Sequence, residues 1–149
     1  MITEDYVSFK IAVLLKEKGF DEKSLTKYWI KNDKYKVYDE DGFINRKEEH
    51  APGEMIFATS DLWYSNDCDE NAIWAPTLQI AMKWLREVHN IHISVQPDYP
   101  NKTNYKLSWC WSVDMLHKDC FECEKHQSYI NTYEEAVEAA LLYTLKNLI

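Results

Sequence analysis

Ten consecutive residues, His117-Lys118-Asp119-Cys120-Phe121-Glu122-Cys123-Glu124-Lys125-His126, hold the side chains best suited to metal chemistry. Two thiolates and two imidazoles, from Cys120, Cys123, His117 and His126, make a tetrahedral zinc set, and two residues between the cysteines is the usual knuckle spacing. All four lie within ten residues, so only a tight hairpin loop would fold them round one ion. A structural zinc stabilises by tying distant chain together, which this spacing does not do. The plainer expectation is a solvent-exposed hairpin tip, with zinc as the alternative cofactor and a Cys120/Cys123 redox pair behind it.

Other constellations carry weaker chemistry. Lys27, Tyr28, Trp29, Lys31, Lys34, Tyr35, Lys36 and Tyr38 combine cations with rings, the ingredients for stacking bases beside phosphate contacts. A period of two tempers this: Tyr28 with Ile30 and Tyr35 with Val37 read as core-facing pairs, leaving lysines to protect an edge strand. Trp109 and Trp111 share a strand face and read as core. Cys110 lies on the opposite face, where His92 or His117 would have to approach it to make a Cys/His nucleophile. Asp39, Asp41 and Gly42 lack the distal bidentate glutamate of a calcium loop and read as a turn. No phosphate loop, dinucleotide fingerprint or G-x-S-x-G elbow occurs, so the expectation is a protein that is not an enzyme.

The elements that would position these residues follow from caps and periodicity. Ser8, Thr77 and Thr132 each precede an apolar stripe and can accept a hydrogen bond from a first-turn amide, and Thr132 with Glu135 forms a capping box. The first helix carries Ile11, Leu14 and Leu15 and ends at Gly19. The second runs from Pro76 or Thr77 to about His89 with Asn90 as its stop. The third buries Val137, Ala140, Leu141, Thr144, Leu145 and Leu148. Ile91, Ile93 and Val95 alternate with polar residues, as do Leu107, Trp109, Trp111 and Val113. Residues 27–31 and 34–38 suggest a hairpin turning at Asn32-Asp33, and 39–42 a second turn leading to Phe43-Ile44. Residues 45–72 read as a short strand or an ordered loop. The predicted order is α-β-β-(loop or strand)-α-β-β-β-α: an α+β fold in one domain, 1–149, with three helices on one face of a mainly antiparallel sheet.

Composition bounds the function. A chain of 149 residues with 46% hydrophobic and 14% aromatic content can bury about two thirds of its unfolded surface in one core. No apolar run approaches the ~20 residues of a membrane span, and Met1 to Tyr6 is acidic and unlike a secretion signal. A cytoplasmic location with reduced thiols is expected. The net charge of −8 opposes nucleic-acid binding. It is unevenly spread: residues 10–36 are net +4, residues 37–70 net −8, and each flank −2. The basic and acidic stretches could pair internally or face a partner.

Thr3-Glu4-Asp5-Tyr6-Val7-Ser8-Phe9 with Leu15-Lys16-Glu17-Lys18-Gly19-Phe20, Ala75-Pro76-Thr77-Leu78 with Lys83-Trp84-Leu85-Arg86-Glu87, and Thr132-Tyr133-Glu134-Glu135-Ala136 resemble a group of small uncharacterised proteins encoded by phages and mobile elements of gut bacteria. The likeness covers about half the chain, and its motifs are helix starts and core residues. It implies a cytoplasmic accessory protein and no catalytic residue. The expectation is thus a non-enzymatic protein that binds a host or phage protein, with acidic residues 39–70 as the contact region and inhibition of a host defence system as a special case. A zinc-binding or single-strand-binding module is the alternative.

Overall fold

The computed structural model describes residues 5–29, 33–38, 44–50, 52–57, 72–98, 107–117 and 120–149. The fold is α+β, and its described elements run α1 (Phe9–Glu17), β1 (Thr26–Trp29), β2 (Asp33–Tyr38), β3 (Ile44–His50), β4 (Met55–Phe57), β5 (Ala72–Trp74), α2 (Leu78–His89), β6 (Ile91–Asp98), β7 (Ser108–His117), β8 (Cys120–Ile130) and α3 (Tyr133–Asn147). They form two compact units, Asp21–Ala75 and the flanking Met1–Phe20 with Pro76–Ile149. Among the described residues no helix is long and apolar enough to cross a membrane.

In the flanking unit, β6, β7 and β8 make an antiparallel sheet in that order. α3 lies along β6 and β7, with α1 and α2 against α3. The α3 stripe is Ala136, Val137, Ala140, Leu141, Thr144 and Leu145, all buried. Thr144 enters this apolar stripe because its hydroxyl donates to Ala140 O at 2.9 Å, one turn back. The stripe meets the sheet face of Trp111 and Val113, and the Trp109 and Trp111 rings lie 5.4 and 5.9 Å from Tyr133 and Tyr143. Both tryptophans belong to the packed face, as their alternation predicts.

The helix ends follow local chemistry. Thr77 and Thr132 oxygens accept from the amides of Ile80 and Glu135, and Asn90 stops α2 at φ 57°. Gly19, at φ 91°, ends α1: its amide donates to Lys16 O while that of Phe20 donates to Leu15 O. Ser8 departs from expectation. It precedes α1 without capping it, and instead its amide and hydroxyl donate to the two carboxylate oxygens of Glu138, at 2.7 and 2.8 Å. That carboxylate brings negative charge to the positive end of the α1 dipole.

In the inserted unit the pairing differs from the predicted hairpin. β1 is the centre of an antiparallel sheet β4-β1-β5, and β2 pairs with β3 as a separate two-stranded ribbon. Residues 27–31 and 34–38 therefore do not form a hairpin with each other. Both edges of β1 are taken, one by β4 and one by β5. Adjacent Tyr28 and Trp29 point to opposite faces and are both buried. Thr26 secures the start of β1, its hydroxyl donating to Ala75 O at 2.5 Å. Of residues 45–72, 45–50 and 55–57 are strand and Ala72 opens β5. Turn residues 39–42 lie outside the described residues.

No other atom lies within 4 Å of a Cβ built on Gly19, so substitution there isolates backbone strain from crowding. Gly19→Ala is expected to cost about 1 kcal/mol and Gly19→Asn less, read from urea unfolding midpoints at unchanged slope.

Candidate interaction surface

With α3 on the Trp111 and Val113 face, the opposite face of β6-β7-β8 presents the polar half of each alternation. Register places His92 opposite Asp114 and Asp114 opposite Cys123; Ser94 opposite Ser112 and Ser112 opposite His126; and Gln96 opposite Cys110. Directly opposed residues share a face, so two imidazoles, two hydroxyls, a carboxylate and a thiol form two rows across three strands. All six are half-buried or exposed.

Of the predicted zinc set, Cys120, Cys123 and His126 are spread along one strand. β8 is an extended strand through Cys120, Cys123 and His126, and at ~3.3 Å per residue it spreads Cys120 and His126 about 20 Å apart. Zinc holds its ligands at about 2.0–2.3 Å. Cys120 is in register with His117, on the Trp111 side, whereas Cys123 is in register with Asp114, on the open side. The two cysteines share no disulfide and lie on opposite faces, and the Cys123 thiol donates to Lys125 O. The His117 side chain, with Lys118 and Asp119, lies outside the described residues. Among those described, no three His, Cys, Asp or Glu are grouped to hold a metal. The expected hairpin tip is shorter than 117–126, because an exposed edge strand and a loop share the same polar composition.

Cys110 is 5% exposed and its thiol donates to Gln96 O across the strand pair at 3.6 Å. His92, on β6, is in register with Asp114, four residues along β7 from Cys110, which puts it about 13 Å or more away. His126, which sequence reasoning assigned to zinc, is the histidine one same-face step from Cys110. No local spacing could have shown this, since the register between β7 and β8 decides it.

The basic aromatic segment is likewise redistributed. Tyr28 and Trp29 are 7% and 1% exposed and have no face to offer a base. Lys27 Nζ sits 3.9 Å from the Trp74 ring centroid, across the β1-β5 pair. Lys31 lies outside the described residues. Lys34 is in register with Glu49 and Tyr35 with Glu48.

One feature of the open face had no sequence signal. Trp109 pairs with Ile130 and Trp111 with Gln127, so Ser128 and Tyr129 together oppose Cys110 in a β-bulge. Tyr129 takes φ 63°, a left-handed conformation suited to glycine and costing about 1–3 kcal/mol for other residues. Its amide donates to Asp98 Oδ2 at 3.3 Å, reaching from β6 past β7 to β8. Its side chain is 66% exposed. Leu107, just before β7, is 60% exposed near the same end of the sheet.

A second electrostatic feature lies in the helical layer. His89 ends α2 with its ring 4.6 Å from that of Trp84, which in turn meets Phe20 at 5.5 Å. Nε2 of His89 is buried without a hydrogen-bond partner among the described residues. Burial holds its pKa below the usual histidine value of 6.5. The α2 dipole would favour the charged ring at this helix end, so desolvation outweighs it. The folded state therefore resists a proton that the unfolded chain accepts. Stability from this group is complete above the unfolded value and falls as pH drops through it towards the folded value. His89→Phe is expected to remove that part of the decline, seen by comparing urea midpoints of the two proteins across this pH range.

Comparison of the chain with protein-family models, with curated proteins and with solved structures finds no match.

Proposed function

We propose that this chain is a non-enzymatic interaction protein that docks a partner protein on the open face of β6-β7-β8, with Tyr129 as the anchor. The observation that carries this reading is the conformation of Tyr129: an exposed tyrosine held at φ 63° by a carboxylate from two strands away. Strain of that kind persists only where surrounding groups enforce it, and it concentrates at binding sites. Tyrosine supplies a large, stiff, amphipathic contact and is enriched among residues that dominate interface energies. Leu107 adds apolar area, and the Ser94-Ser112-His126 row adds a polar rim.

Of the acidic stretch 39–70, only 44–50 and 52–57 are among the described residues, and Glu49 is in register with Lys34. The resemblance to phage and mobile-element proteins suits an accessory role with a host or phage partner. For the zinc alternative, Cys120 and His126 stand about 20 Å apart along β8.

Tyr129→Gly separates binding from folding. Glycine relieves the left-handed strain, so thermal stability should stay level or rise by up to about 1 kcal/mol. Capture of a partner from host lysate by the tagged protein should nevertheless fall sharply. Equal recovery of the same protein by both forms would contradict the reading, as would recovery that nuclease abolishes.

A further inference from the structure

We infer that Asp98 is the positioning residue of the docking face: its carboxylate selects the left-handed seat of Tyr129, so the end of β6 and the anchor on β8 act together. The consequence for binding rests on the docking reading above, whereas the selection itself is a property of the free protein. Within the bulge two residues, Ser128 and Tyr129, oppose Cys110 alone. Glycine takes a positive φ without steric penalty, and asparagine or aspartate visits it through a short polar group that bonds locally. Here tyrosine takes it, at φ 63°. A tyrosine side chain has no such local bond to offer, so the preference comes from a neighbour.

Asp98 is that neighbour. It ends β6 and stands opposite Ser108 of β7, on the same face as Gln96 and Cys110. Its Oδ2 accepts from the Tyr129 amide at 3.3 Å, reaching past β7 to do so. The direction of an amide N–H is set by the backbone, so a fixed acceptor on this face favours the dihedral angles that aim the N–H at it. A hydrogen bond to a charged acceptor is the stronger kind, and its contribution is of the same order as the strain of one residue in a sparse backbone region. The acceptor is held in turn. Pro97, with its ring-locked φ, immediately precedes it, and the Cys110 thiol donates to Gln96 O one residue earlier. The carboxylate therefore approaches Tyr129 from a strand end with little freedom to follow it.

The test compares the isotope-labelled full chain with Asp98→Ala, which removes the acceptor, and Asp98→Asn, which keeps an oxygen in its place. The readout is the one-bond Cα–Hα coupling of Tyr129, which is smaller in a left-handed residue than in an extended one. Wild type and Asp98→Asn should show the small coupling and Asp98→Ala a larger one, with the shifts of buried Val137 and Leu141 unchanged in all three. Capture of the partner that the wild type recovers should fall about fivefold or more with Asp98→Ala and return with Asp98→Asn. A coupling that stays small in Asp98→Ala overturns the inference, as does one that turns large in Asp98→Asn. Loss of capture in Tyr129→Gly but not in Asp98→Ala also overturns it and leaves the docking reading standing. If the coupling changes as expected while both Asp98→Ala and Tyr129→Gly capture the partner as well as the wild type, the selection by Asp98 holds and the docking reading falls.

Discussion

The burial of one helical stripe against one strand face decides what this protein can present. Ala136, Val137, Ala140, Leu141, Thr144 and Leu145 are each fully buried, and the sheet face they meet carries Trp111 and Val113. Fully burying Val137, Leu141 and Leu145 contributes about 1.5–3 kcal/mol each, which fixes the face that α3 turns to the sheet. Once α3 has taken the Trp111 face, the alternation of β6 and β7 turns His92, Ser94, Ser112 and Asp114 to the other side. The polar face is thus a consequence of the packed one.

Much of this was legible in the sequence because it rests on neighbours in the chain. Gly19, Thr77, Asn90 and Thr132 act on amides and carbonyls within one turn, and the Trp109-Trp111-Val113 alternation needs only the pleat. The rest depends on pairings between distant segments. β1 takes β4 and β5 as its edge partners although β2 is nearer in sequence, and no local pattern shows which distant strand will pair with it. The Cys120 to His126 stretch is a strand because β7 supplies its partner. The bulge is the least legible feature of all. Tyrosine occupies a seat that glycine would have advertised, and the carboxylate that keeps it there is 31 residues away.

On the sheet face a single large ring concentrates the contact, and neighbouring hydroxyls and imidazoles surround it with groups able to hydrogen-bond either to a partner or to water. Such a ring recognises a pocket and is less sensitive to salt than a contact between exposed charges.

The central claim is that the open face of β6-β7-β8 is where a partner binds. Backbone amide chemical shifts of the labelled protein, followed as the captured partner is added, test it most directly. The account predicts changes concentrated at Tyr129, Ser128, His126 and Ser112, with the exposed side of α2 around Lys83 and Glu87 unaffected. Changes centred on α2, or on the Asp21–Ala75 unit with the sheet face silent, would contradict it.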